Sequence, residues 1–384
     1  MFASRTNWNL KPNRLAKALE HHKSSGRRLL DLSASNPTEC GFKYDAPAIM
    51  RSLCAPASLQ YRPDPKGLKS ARQTVSGYYA EHGARVAIDD LILTASTSEA
   101  YSFIFRLLCN PGDELLIPTP GYPLFDFLAD VNDVKLTRYP LFYDHGWHID
   151  MHALKQAITQ RTRGVVVVHP NNPTGHFTKA EEAAQLNQIC SGKEMAIIAD
   201  EVFLDFSLES EQESFVTNSA ALTFAMSGIS KISGLPQMKF AWLAVSGPQD
   251  VKREALARLE MIADTYLSLN APIQLAAPVL LQQRKQFQQQ LMTRVRANLA
   301  DLDSQLVERQ HVSRLAVEGG WYAVLRVPAM RPDEELALEL LEKHEVYLHP
   351  GHYYDFPGDG YLVVSLITPE QDFHEGMGRI LSAV

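Results

Sequence analysis

Between residues 65 and 245, short unbroken apolar runs alternate with longer stretches in which apolar residues recur at helical spacing. The run Gly164-Val165-Val166-Val167-Val168 is almost wholly β-branched, the mark of a strand covered on both faces, and 195–199 reads the same way. Further strands are predicted at 91–94, 114–117, 135–141, 222–226 and 240–245. Helices are predicted at 67–82, 98–109, 122–131 and 179–190, with a turn at Pro111-Gly112-Asp113. This alternation predicts an α/β fold: a large domain with a mostly parallel open sheet and helices on both faces. The pattern changes after residue 271. A continuous helix is expected over 272–308, including a Gln-rich stretch at 281–290 that reads as solvated helix rather than linker. Strands at 321–327 and 362–366, with helices at 332–343 and 369–383, predict a smaller α+β domain. The chain thus divides into an N-terminal arm (1–44) packing with the small domain, a large domain (45–275), and a connecting helix with the small C-terminal domain (276–384).

Composition narrows the function. A chain of 384 residues has room for about two domains. Apolar residues at 45% and charged residues at 21% describe an ordinary soluble protein. A net charge of −7 argues against nucleic acid or an anionic membrane as partner, and Lys23, Arg27 and Arg28 read as a helix end. Cys40, Cys54, Cys109 and Cys190 form no CxxC pair, so reduced thiols and no metal site are expected. The first eight residues lack the apolar core of a signal peptide, and no apolar run approaches the roughly 18 residues of a membrane span. The expectation is a soluble, cytoplasmic protein.

In open α/β sheets, ligands collect at the carboxyl ends of strands. The 91–94 strand is followed by Ala95-Ser96-Thr97-Ser98, and 164–168 by His169-Pro170-Asn171-Asn172-Pro173-Thr174-Gly175. Asp200-Glu201 follows 195–199, and Ser227-Gly228-Ile229-Ser230-Lys231 follows 222–226. An anion nest, an amide, a carboxylate and an amine are what a phosphorylated, nitrogenous aldehyde requires. A lysine among small residues at a strand end can lose solvent, which lowers its pKa and frees a nucleophilic amine. Each residue also has a plain reading: a solvated lysine, a helix cap at Asp200 or Ser96, an Asx-turn at Asn172.

Together these segments, above all Asn171-Asn172-Pro173-Thr174-Gly175 at its spacing from Asp200 and Lys231, resemble the class I/II aminotransferase family of fold-type I pyridoxal-phosphate enzymes. The resemblance spans about residues 30–380. It implies an aspartate-aminotransferase-like fold whose large domain binds pyridoxal 5'-phosphate, and ping-pong transfer of an amino group between an amino donor and a keto acid or aldehyde through a Lys231 aldimine. By the same resemblance Lys231, once freed by substrate, shuttles the Cα proton. Asp200 pairs with the pyridinium nitrogen, and Asn172 bonds the phenolic oxygen. Ser96, Thr97 and Ser98 form the phosphate cup. Tyr122 stacks on the ring, and Ser227 is a further cofactor contact. Tyr61 reaches the partner subunit's phosphate, which implies a homodimer with shared sites.

Three positions depart from the family. Lys239 stands for an arginine phosphate ligand and offers a point charge in place of a bidentate fork. Phe203 stands for a tyrosine; without that hydroxyl the phenolic oxygen should hold the imine proton more firmly. Val363 stands where an arginine, two residues before Ser365, would clamp the substrate α-carboxylate. Three outcomes are open: another cation serves (Arg5, Arg62 or His352), the substrate lacks that carboxylate, or the match is slipped along a strand that itself contains no arginine. The segment His349-Pro350-Gly351-His352-Tyr353-Tyr354 is expected to line the substrate pocket, with His352 and Tyr353 as contacts, and Ser35 lies in a segment expected to cover the substrate. Two other functions stay open: a lyase or decarboxylase on the same scaffold, and a non-catalytic cofactor-binding regulator. The charge and the short 1–30 segment, too small for a DNA-binding module, disfavour the regulator.

Overall fold

The computed structural model describes residues 1–209, 212–267, 269–307 and 309–384. Eight strands form the central sheet: β1 (Leu91–Thr94), β2 (Glu114–Thr119), β3 (Lys135–Tyr143), β4 (Trp147–Ile149), β5 (Thr162–Val168), β6 (Ala196–Asp200), β7 (Thr223–Gly228) and β8 (Ala241–Ser246). Their order across the sheet is β1-β8-β7-β6-β5-β2-β3-β4. The run β7-β6-β5-β2-β3 is parallel, β8 lies antiparallel between β1 and β7, and β4 closes a hairpin on β3. Alternate residues face opposite sides, and each side has its own core. Ile92, Leu115, Val166, Ile198 and Phe224 pack on one side. Leu93, Leu116, Val165, Ile197 and Ala225 pack on the other.

The helices at Lys69–Glu81, Thr97–Leu108 and Ala180–Gly192 fall where the sequence pattern places them. The 122–131 stretch is helical only over Phe125–Asp130. The 272–308 stretch is two helices, Ala271–Gln282 and Arg284–Leu306; Glu308 lies outside the described residues. Its Gln-rich part is not simply a solvated surface. Phe287 is buried against Phe42 and Tyr44, and Arg284 is buried.

A second, four-stranded antiparallel sheet runs Ser313–Arg314, Tyr322–Arg326, Tyr361–Ser365, His349–Pro350. Leu30–Asp31 adds a two-residue parallel pairing with Val346–Tyr347, and the helix Arg14–Ser24 packs on Asp333–His344. The first residues run elsewhere. Arg5 pairs with Asp133, and Trp8 sits edge-on to Phe127 at 5.4 Å with its Nε1 donating to Asp130 at 2.8 Å. Residues 5–13 therefore bridge the large sheet's periphery and the small sheet, where Asn13 donates to the Tyr353 hydroxyl at 2.7 Å. Among the described residues no helix is long and apolar enough to cross a membrane, and no cluster of metal-ligating side chains occurs.

Candidate active site

Strands β1, β5, β6 and β7 point the same way, because β1 and β7 are both antiparallel to β8. Their carboxyl ends therefore meet at one edge of the sheet. At the end of β1, Ser96 caps the 12-residue helix Thr97–Leu108: its hydroxyl accepts from Glu99 N at 3.2 Å, while Glu99 Oε2 accepts from Ala95 N at 2.7 Å. This reciprocal cap aims the positive end of the helix dipole at the sheet edge through Thr97 and Ser98.

Asp200 is the last residue of β6. Its Oδ1 accepts from Val202 N and its Oδ2 from the Tyr101 hydroxyl, both at 3.2 Å. Burial pushes its pKa up to about 6, against the pull of those two donors and of Lys231. Lys231 lies in the single turn Ile229–Ile232 after β7. The turn needs Gly228, where a Cβ would stand 2.8 Å from the Ala241 Cβ and 3.0 Å from the Phe240 carbonyl oxygen. Lys231 Nζ stands 4.8 Å from the centroid of the Trp321 ring and 5.5 Å from that of Phe203. Burial lowers its pKa to about 8, and Asp200 opposes the shift. Protein atoms surround both groups closely, yet neither residue is fully buried. Trp321 and Phe203 pack edge to face at 4.9 Å, so aromatic carbon replaces water on one side of the amine.

The 169–175 loop divides its two asparagines between structure and site. Asn171 makes the turn: its Oδ1 accepts from the Thr174 hydroxyl at 2.8 Å and from Thr174 N at 3.4 Å. Gly175, at φ +74°, closes the loop where a Cβ would lie 2.7 Å from the Gly319 carbonyl oxygen. Asn172 is free of this scaffold, and its buried Oδ1 has no hydrogen-bond partner among the described residues. The Asx-turn considered for Asn172 thus belongs to its neighbour.

The remaining expected residues are spread more widely. Tyr122 is partly exposed, edge-on to Phe125 at 6.1 Å, and both burial and the charge of Asp200 raise its pKa. The buried Ser227 hydroxyl donates to the Glu201 carbonyl at 3.4 Å. Lys239 is exposed, makes no ion pair with a described residue and sits in the left-handed region at φ +52°, a conformation uncommon for a side chain of its type. Tyr61 stands 81% exposed, beside a cleft of about 410 Å³ between segments 57–70 and 263–275. Ser35 and His352 are exposed, and Tyr353 is half-buried. Val363 is buried. Of the cations considered in its place, Arg5 is engaged by Asp133 and Arg62 donates to Gln60.

Several residues join the site without a motif to announce them. Tyr101 comes from the middle of a helix and Trp321 from the far end of the chain. Tyr322 packs edge-on to Phe203 at 6.4 Å, and the Tyr354 carbonyl accepts from Gly121 N at 2.9 Å, beside Tyr122. Only the spacing Glu318-Gly319-Gly320-Trp321, a turn before a strand, hinted that Trp321 enters a packed site.

Comparison with known proteins identifies the family of a chain that brings an amine, a carboxylate and a helix N-terminus to one sheet edge. The profile of the family described as Aminotransferase class I and II matches residues 27–378. The chain belongs to that family and is an aminotransferase. It is 28% identical over 369 residues to the glutamate-pyruvate aminotransferase AlaA of Escherichia coli K12, covering 91% of this chain and 88% of that one. It is likewise 28% identical over 373 residues to an alanine aminotransferase of Mycobacterium tuberculosis H37Rv, covering 93% and 86%. The fold matches the solved alanine aminotransferase of Pyrococcus furiosus with a TM-score of 0.90 at 23% identity, covering 100% and 99% of the two chains. The fold-type I, aspartate-aminotransferase-like architecture expected from the sequence is therefore the observed one.

Proposed function

We propose that this chain binds pyridoxal 5'-phosphate through Lys231 and moves an amino group between an amino donor and a keto acid. The observation that carries the proposal is the Lys231–Asp200 pair: an amine whose pKa burial lowers to about 8, beside a carboxylate that burial lifts to about 6. Among the described residues Asp200 has two donors but no cation besides that lysine, which suits a protonated ring nitrogen as its partner. The Asn172 side chain takes no part in the turn made by Asn171, so its Nδ2 can donate to a ring oxygen, and the capped helix at Ser96–Ser98 suits a phosphate. When bound, the cofactor supplies an electron sink that weakens the bonds at the substrate Cα.

The chain's own residues do the rest. The Lys231 amine, of depressed pKa, accepts the Cα proton and returns it one step later. Asp200 would hold the ring nitrogen and keep it protonated. Asn172 and Tyr122 orient the ring, while Phe203 and Trp321 keep water from the amine. Lys239 would supply a positive charge for the phosphate. We further propose a homodimer in which Tyr61 contacts the partner's cofactor, and a division into an arm (1–44), a large cofactor-binding domain (45–275) and a connecting helix with small domain (276–384).

The test follows the absorption band of the loaded protein with a panel of amino acids and amines. Conversion to the amino form of the cofactor, reversed by pyruvate or another keto acid, is expected. Release of pyruvate and ammonia without a keto acid would replace this reading with a lyase, and no response to any donor would point to a regulator.

A further inference from the structure

The strand Tyr361–Ser365 carries Val363 where the resemblance calls for a carboxylate-binding arginine, and the register of the small sheet shows what stands beside it. Val363 lies between Val324 on one neighbouring strand and His349 on the other. Directly opposed residues in antiparallel pairs project to the same face. One row along, Tyr322 and Ser365 oppose each other on that face. These two show where the face looks. The Ser365 hydroxyl donates to the Ala34 carbonyl at 2.6 Å, next to Ser35, and Tyr322 packs on Phe203 at the lysine. The Val324–Val363–His349 row therefore borders the site on its small-domain side. In that row only the imidazole can donate a hydrogen bond or take a charge.

His349 is half-buried. Its Nδ1 stands 3.0 Å from the Tyr354 hydroxyl, and the Tyr354 carbonyl in turn anchors the loop that carries Tyr122. If the tyrosine donates to Nδ1, the imidazole keeps Nε2–H as its free donor. The titratable groups around it are Tyr347, Tyr353 and Tyr354, with ring centroids 5.7–5.9 Å away, and Asp31 across the two-residue parallel pairing.

We infer that His349 receives the substrate carboxylate, in place of an arginine at position 363, and that the substrates are α-amino acids and their keto acids rather than carboxylate-free amines. This rests on the transaminase reading above. Burial lowers the His349 pKa below 6.5, with Asp31 opposing, so the open site holds it neutral near neutrality. An arriving carboxylate favours the imidazolium and raises that pKa, so binding takes up a proton. Between the two pKa values, affinity for the carboxylate falls as pH rises, by up to about tenfold per unit. An arginine would impose no such slope.

The experiment compares binding of L-alanine and of L-alaninol, which lacks the carboxylate, through the shift of the loaded protein's absorption band between about pH 6 and 9. The ratio of the two dissociation constants cancels the titration of the lysine-bound cofactor, which affects both probes alike. The native protein is expected to prefer alanine, less so as pH rises. His349→Asn should cut the preference about tenfold or more near neutrality and flatten its pH dependence, while alaninol binding persists and shows the variant folded and loaded. Adding Val363→Arg to His349→Asn should restore the preference without the slope. A preference unchanged in His349→Asn would overturn the inference, as would a native protein that does not distinguish the two probes. So would collapse of the preference in Arg326→Gln instead, since Arg326 is exposed on the same face opposite Tyr361. If amino acids convert the cofactor but the ratio ignores His349, this inference alone fails; if no donor converts it, the transaminase reading fails.

Discussion

Asp200 burdens the cofactor-free protein. Its folded pKa of about 6 lies above the 3.8 of a free aspartate, so between those values the folded state holds a proton that the unfolded state has released. The contribution of Asp200 to stability is therefore most favourable below about pH 4 and falls as pH rises toward 6, by at most roughly 3 kcal/mol for two pKa units. A protonated ring nitrogen would remove the penalty. Asp200→Asn in the cofactor-free protein should raise the urea midpoint at pH 7 and erase that slope; a native protein that gains stability across pH 4–6 more steeply than the variant would contradict it. Phe203→Tyr probes the opposite face of the site. The new hydroxyl would be buried edge-on to Trp321, costing the cofactor-free protein about 1–2 kcal/mol for want of a partner. In the loaded protein the phenolic oxygen supplies that partner, so the pKa of the lysine-bound band should fall by about one unit in a spectrophotometric titration. At this scale Lys231, Asp200 and Asn172 were legible in the sequence because each follows a strand whose apolar run is unmistakable. Tyr101 was not, because nothing local marks it; Trp321 had only the glycine turn before it as a sign, and His349 stood in a segment expected to line the pocket whose contacts were read as His352 and Tyr353. They reach the site from distant elements through tertiary packing and sheet register.

At the scale of elements, the lysine turn is fastened from the helix Arg284–Leu306. Gln288 Nε2 donates to Asp205 Oδ2 at 2.7 Å and to the Ile232 carbonyl at 3.0 Å, and the Tyr78 hydroxyl donates to the other Asp205 oxygen at 2.5 Å. Tyr44 adds a bond to the Gly234 carbonyl at 2.8 Å. Gln288→Ala leaves a buried carboxylate oxygen and a carbonyl short of a donor, so a loss of about 1–3 kcal/mol in urea melts is expected, with weaker cofactor retention. An unchanged midpoint would show that water replaces the amide at no cost. The Gln-rich part of the connecting segment, which the sequence presented as solvated helix, thus supports the lysine turn. The helix Gln249–Tyr266 went unread for a related reason. Its buried stripe is only Ala255, Leu259 and Ala263, and it ends on Leu267 in a left-handed conformation rather than on glycine. A narrow stripe of small residues among charges gives little periodic signal, whereas β5, buried on both faces, was legible almost to its ends.

For the whole molecule, the exposed Tyr61, with Leu59 and Leu267 also exposed, borders the 57–70 and 263–275 cleft, and the proposed dimer would cover this surface. Sedimentation should give twice the 42.9 kDa chain mass. Tyr61→Phe should keep the dimer yet release cofactor several-fold more readily, as the loss of one hydrogen bond to phosphate would; a monomer by sedimentation would contradict the shared site. The two-sheet layout was readable from the change of pattern after residue 271. The bridge made by residues 5–13 was not, since Arg5, Trp8 and Asn13 carry no apolar period and find their partners only in the folded chain. The claim on which every scale depends is that Lys231 holds the cofactor. Borohydride reduction of the loaded protein followed by peptide mass mapping tests it most directly. The account predicts one phosphopyridoxyl group per chain, on Lys231, and no visible band in Lys231→Ala; a label on another lysine, or a band that survives that substitution, would contradict it.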